Sequence, residues 1–150
     1  MAETSAMWVH GQAAVREWEP RRWFWVGQGP EFIIDRGKNL WVHLAIPTPV
    51  LLKGKRATLR RVHVLYSTYD KFSVLKDVHI RDGQTKLAKK DNLNWWGDHQ
   101  TALGPSTTIE LGWDGINYGI GVSLNFAVDS VSGAGEFSLR SVGGDFEHNW

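Results

Sequence analysis

The chain contains no cysteine. This removes disulfides, thiol nucleophiles and zinc–thiolate sites together. No run approaches the ~18 consecutive apolar residues of a membrane-spanning helix, so no membrane partner is expected. Met1 to Met7 has neither a basic start nor an apolar stretch. The sequence therefore predicts no secretory leader and a cytoplasmic protein. No window shows helical spacing of its apolar residues. There is no G-x-S-x-G, no P-loop and no H-E-x-x-H. Gly119-Ile120-Gly121 lies in strand-like sequence and is no nucleotide fingerprint. Nucleotide chemistry and standard serine hydrolysis lose support, and no cofactor is expected.

What is present fits one domain spanning 1–150, because two would each be too small to bury a core without cross-links. The apolar share of 42% is ordinary and argues against disorder. The nine tryptophans are the unusual feature: Trp8, Trp18, Trp23, Trp25, Trp41, Trp95, Trp96, Trp113 and Trp150. Each indole N–H wants a partner, so a core of this size takes three or four. The others belong at a rim, a pocket or an interface.

Charge is unevenly placed. Residues 1–90 carry 16 of the 17 Lys+Arg against 8 acids, a net +8, and residues 91–150 carry Arg140 alone against 8 acids, a net −7. Either the halves interleave and neutralise each other, or the protein has a basic and an acidic face. The densest basic run is Lys53, Lys55, Arg56, Arg60 and Arg61. It lacks the glycine and aromatic pattern of an RNA-recognition motif, so no nucleic-acid partner is expected.

Period-2 alternation recurs along the chain. Leu40, Val42, Leu44 and Ile46 alternate with Trp41, His43 and Ala45. Val62, Val64 and Tyr66 form a second set, Val74, Lys76, Val78 and Ile80 a third, and Tyr118 through Val128 a fourth. Such patterns predict half-buried antiparallel strands. Asp82-Gly83 and Asp114-Gly115 read as hairpin turns, and Pro47-Thr48-Pro49 ends a strand. About nine or ten strands in one all-β domain predict an antiparallel β-sandwich of jelly-roll type, with a flattened β-barrel as the alternative. Gly119, Gly121, Ser123 and Ala127 leave one strand face nearly bare, for close packing or as the floor of a flat-ligand pocket.

Three places can carry chemistry. Val42-His43, Val62-His63 and Val78-His79 repeat a pattern. With the valines inward, His43, His63 and His79 face outward, together with Trp41, Arg61, Asp77 and Arg81. On neighbouring strands three histidines can bind a metal, and a His–Asp pair can act as a base. No H-x-H spacing supports the metal reading, and an ordinary outer face is the plainer one. The loop Asp91 to His99 sets Trp95 and Trp96 beside Asp91, Asn94, Asp98 and His99. Indoles stack on apolar sugar faces while carboxylates and amides bind hydroxyls. Asp98 or His99 can equally move a proton in a catalytic pocket, or the tryptophans can simply plug the loop's base. Calcium is disfavoured, because the EF-hand pattern is absent. The segment Trp18 to Trp25 mixes Arg21, Arg22 and aromatics and suits an interface or a ligand.

Several stretches resemble a family of small, mostly bacterial, single-domain proteins of unknown function. They are Trp8-Val9-His10-Gly11, Ile46-Pro47-Thr48-Pro49-Val50, Val78-His79-Ile80 with Asp82-Gly83, Asp91-Asn92-Leu93, Gly97-Asp98-His99 and Gly119–Phe126. The resemblance covers nearly the whole chain. It implies an all-β domain of this length and brings no reaction and no site residues.

The leading reading is a ligand-binding, lectin-like sandwich that holds a sugar or another flat, partly apolar small molecule. Trp95, Trp96, Asp91, Asn94, Asp98 and His99 would bind it. One alternative is a small cofactor-independent cyclase, isomerase or lyase using Asp98 or His99. Another is a structural homo-oligomer, which the surplus tryptophans and the bare strand face suggest. A metal is not expected, and His43, His63 and His79 are its fallback ligands.

Overall fold

Alternating valine and leucine against polar residues makes strands here, because each strand buries one face and leaves the other wet. The computed structural model describes residues 2–131 and 133–149, so Trp150 lies outside the described residues. The chain runs through β1 (Ala2–His10), a 3-10 turn at Gly11–Ala13, β2 (Val15–Arg16), β3 (Arg22–Val26) and β4 (Gly29–Ile34). Then come β5 (Asn39–Ile46), β6 (Leu51–Leu52), β7 (Lys55–Arg56), β8 (Thr58–Thr68) and β9 (Ser73–Asp82). The last are β10 (Thr85–Lys90), β11 (Asp98–His99), β12 (Thr108–Asp114), β13 (Ile120–Val128) and β14 (Gly135–Asn149). Ten of these strands have five residues or more, and no α-helix occurs among the described residues.

The strands form two antiparallel sheets. The front sheet runs β11-β8-β14-β4-β3, with β12 also on β8 and β1 also on β14. The back sheet runs β10-β9-β13-β5-β2, and β6–β7 is a small separate ribbon. Eight strands carry the architecture: β4-β14-β8-β12 against β5-β13-β9-β10. The chain changes sheet at each step among these eight except the β9–β10 hairpin. That is jelly-roll connectivity.

The core lies between the sheets. Val62, Val64, Val78, Ile80, Val122 and Leu124 are all buried there. Phe32 of the front sheet meets Phe126 of the back sheet edge-on at 5.2 Å, and Phe126 meets Phe137 at 5.4 Å. Tyr66 is fully buried, its hydroxyl donates to the Ser106 carbonyl at 2.7 Å, and burial pushes its phenol well up.

The structure departs from the sequence pattern in four places. The register of β9 on β13 slips at Lys76, where a bulge sets Ser73 and Leu75 inward and Val74 outward. A one-residue bulge reverses the face of everything before it. Asp114-Gly115 is not a hairpin, because β12 and β13 belong to different sheets. Tyr118 precedes its strand and is exposed, while Asp82 accepts hydrogen bonds from the N–H groups of Asn117, Tyr118 and Gly119. Finally, none of the eight described tryptophans is fully buried. Trp23, Trp95 and Trp113 pack against the core from its edges.

The charge halves interleave. Arg60 pairs with Glu147, Arg61 with Glu110 and Asp145, and Glu31 with Arg140. Each pair joins the basic half to the acidic half, because β14 and β12 flank β8 and β4. This also neutralises the two arginines of the basic run that lie on β8.

Candidate functional site: a groove on the front sheet

Five strands place one outward row side by side. Asp98 stands opposite Ser67, Ser67 opposite Ser138, Ser138 opposite Glu31, and Glu31 opposite Phe24. Their side chains line an open groove of about 440 Å³, with Tyr69, Gln100, Glu136 and Arg140 around it. Phe24 is 47% exposed and Tyr69 is 76% exposed. The groove thus offers two available aromatic rings among hydroxyls, carboxylates, an amide and a guanidinium.

Arg140 organises it. The register of β14 on β8 slips between Leu139 and Ser141, so Arg140 is the extra residue of a bulge. Bulges re-aim side chains and are frequent beside functional sites. Its guanidinium donates to Glu31 at 2.7 Å and to the Gln100 side-chain carbonyl at 2.7 Å, with a longer bond to the Gly29 carbonyl. Glu31 of β4 and Gln100, just past β11, are so held in place. Gly29 makes room for the bulge: with φ +123° it lies against the Leu139 carbonyl, and a Cβ there would be 2.1 Å from that oxygen. Ser67 and Ser138 hydrogen-bond each other.

The Asp91–His99 loop does not gather its six candidates at one point. It climbs from the back sheet to the front sheet over the sandwich edge. Trp95 bridges Leu75 through two backbone hydrogen bonds, of 3.0 and 2.7 Å, on the back-sheet side. Asp98 and His99 pair with Ser67 and Tyr66 of the front sheet. Asp91 accepts a hydrogen bond from His79 Nε2 at 2.8 Å. That bond holds the Asp91 carboxyl below the usual carboxylate range, and Lys89 at 3.7 Å assists. Asn94 is exposed with φ +51°. The indoles diverge: Trp95 packs on the core and Trp96 is 52% exposed. His99 Nε2 donates to the Trp96 carbonyl at 2.9 Å, and its ring lies 5.4 Å from Tyr66. Asp98 binds Gln100 instead. Adjacent residues on a strand face opposite ways, so Asp98 and His99 share no hydrogen bond and form no relay. Of the six, Asp98 alone lines the groove.

The histidine face is also divided. His43 and His79 lie on the back sheet, where Asp77 stands opposite Asn125 and accepts a hydrogen bond from its side-chain N–H, but His63 is on β8 of the front sheet. Successive jelly-roll strands alternate between sheets, and that separates them. Arg61 leaves the set with His63. Among the described residues no three His, Asp or Glu side chains are close enough to hold a metal.

The sequence offered little sign of Glu31, Ser67, Ser138 or Phe24, each an unremarkable residue on its own strand. Arg140 did carry a signal, as the one lysine or arginine after Lys90. An isolated cation in an acidic half has a specific partner to find.

Fold and groove together define a jelly-roll sandwich with an open polar groove across one sheet. The chain belongs to a family of unknown function, DUF6623, whose model matches residues 2–147. No curated protein matches the sequence. Among solved structures it is similar to a family two carbohydrate esterase from Cellvibrio japonicus, with TM-score 0.47 and 11% identity over 99% of this chain. The chain spans 36% of that protein's length. No helix among the described residues is long and apolar enough to cross a membrane.

Proposed function

We propose that this protein is a binding module that holds a carbohydrate in the front-sheet groove. The observation that carries this reading is the groove's composition and openness. Sugars present an apolar C–H face and a ring of hydroxyls. Phe24 and Tyr69 suit the face; Asp98, Glu31, Glu136, Gln100 and Arg140 suit the hydroxyls. Glu31 and Gln100 are already held by Arg140, so little ordering cost accompanies their part in binding. A groove open along the sheet takes a chain or a chain end, whereas a proton-transfer enzyme for an apolar substrate needs a closed, drier cavity.

The test is calorimetric titration of the full chain with a panel of neutral, acidic and N-acetylated oligosaccharides. Binding by one class, lost in Phe24→Ala and weakened in Asp98→Asn with melting temperature kept, supports the reading. Absence of binding across the panel, or binding unaffected by both substitutions, overturns it.

A further inference from the structure

The outer face of the back sheet carries a second constellation, on the side of the sandwich opposite the groove. Ser123 on β13 stands between His43 on β5 and His79 on β9. Its Oγ lies 2.7 Å from His43 Nδ1, and His43 Nε2 lies 2.7 Å from a Glu17 carboxylate oxygen. A carboxylate only accepts, so Nε2 bears a proton, and in the neutral ring Nδ1 is then the acceptor for the serine hydroxyl. One tautomer satisfies both bonds, and it is the tautomer a general base needs.

We infer that Ser123, His43 and Glu17 form a serine–histidine–glutamate relay that takes an acyl group from an ester. Such relays are recognised by geometry and roles, not by sequence order. Here the order is Glu17, His43, Ser123, and Ser123 sits in Gly121-Val122-Ser123-Leu124-Asn125 without the usual nucleophile motif. The space for the acyl group lies beside Ser123, over Gly121, where a Cβ would meet nothing within 4 Å. Ala45 borders that space on β5 and Arg81 on β9, both opposite Gly121. Gly121 and Ala45 carry little bulk there, so an acyl group can reach Ser123. Arg81 has no ion-pair partner among the described residues, and its charge offsets the negative oxygen that develops as the carbonyl is attacked.

The chemistry balances as an ordinary acyl transfer. Ser123 Oγ bonds to the carbonyl carbon as its proton passes to His43 Nδ1. The ester C–O bond breaks, and the proton leaves with the departing alcohol. Water, deprotonated by the same nitrogen, then releases the acid and restores the serine. Glu17 does not touch the reacting atoms; it is a positioning residue that fixes the tautomer.

The experiment treats the full chain with diisopropyl fluorophosphate and maps the adduct by peptide mass, then follows p-nitrophenyl acetate turnover. A single adduct on Ser123 is expected, with no labelling at that site in Ser123→Ala. His43→Gln should slow acylation by roughly 10²–10⁴-fold with the melting temperature kept. Glu17→Gln should slow it too and should shift the His43 ring ¹⁵N signals away from the Nε2–H tautomer, a readout that a purely structural role would not move. No adduct on Ser123 of the folded protein, adducts scattered over several hydroxyls, or equal rates in His43→Gln each overturn the inference. Carbohydrate titration reads the opposite sheet, so the two proposals fail separately.

Discussion

The indole of Trp8 lies flat on the imidazole of His63, with ring centroids 5.7 Å apart and planes 16° from parallel. Between them in the sheet stands Gly143, paired with both residues. A Cβ on Gly143 would fall 2.4 Å from the Trp8 ring, so the missing side chain is what lets the indole cross the strand. Covered this way, His63 is buried and keeps its bonds to Thr108 at 3.0 Å and Asp145 at 2.9 Å. Gly143→Ala should therefore expel the indole. We expect a loss of about 1–3 kcal/mol in urea unfolding and a red-shifted tryptophan emission. Unchanged emission and stability would contradict this packing.

Asp82 predicts an acid-sensitive joint. Burial works to raise its pKa, but the three backbone N–H bonds from Asn117, Tyr118 and Gly119, with the nearby Arg56 charge, outweigh it and leave the carboxyl below its ordinary value. A depressed folded value means stability that is fully present above the unfolded carboxylate pKa of ~3.9 and lost as pH falls through the folded one. Asp82→Asn should lower stability at pH 7 by roughly 1–3 kcal/mol and flatten the loss below pH ~4. Parallel pH–stability curves for the two proteins would refute the assignment.

Trp95 and Trp96 should behave oppositely. Trp95 packs on the core, so Trp95→Ala should cost about 2–4 kcal/mol. Trp96 is exposed, so Trp96→Ala should change stability by no more than about 0.5 kcal/mol. Thermal melts of the two variants decide it, and equal losses would place both indoles in the core.

Core substitutions test the sandwich itself. Leu124 is fully buried, and Leu124→Ala should cost about 2–5 kcal/mol. Val122→Asp should prevent folding, because it buries a charge with no partner. A soluble, cooperative Val122→Asp protein would be incompatible with this core.

The strands were legible in the sequence wherever one face is buried along their length. Val62–Tyr66 and Ile120–Val128 keep strict alternation because no bulge interrupts them within those limits. Val74–Ile80 misled, because the bulge at Lys76 is a property of pairing with β13 and leaves no mark in a single strand's pattern. Asp82-Gly83 named its hairpin; Asp114-Gly115, of the same composition, turns the chain between sheets. A two-residue turn signal says that the chain bends and not which sheet receives it.

What the sequence determined by itself was the class of structure: all strands, no helix, turns at glycine and proline, a surplus of indoles that a small core does not take. Local periodicity and turn chemistry act over a few residues, so they survive being read in one dimension. Which faces meet was decided only by the tertiary structure. Jelly-roll crossing sends consecutive strands to opposite sheets, which parts His63 from His43 and His79 and brings Glu17, His43 and Ser123 together across 106 residues of chain. The groove likewise draws Phe24, Glu31, Ser67, Asp98 and Ser138 from five strands. Cross-strand neighbours are set by hydrogen-bond register between distant segments, and no spacing along the chain encodes that.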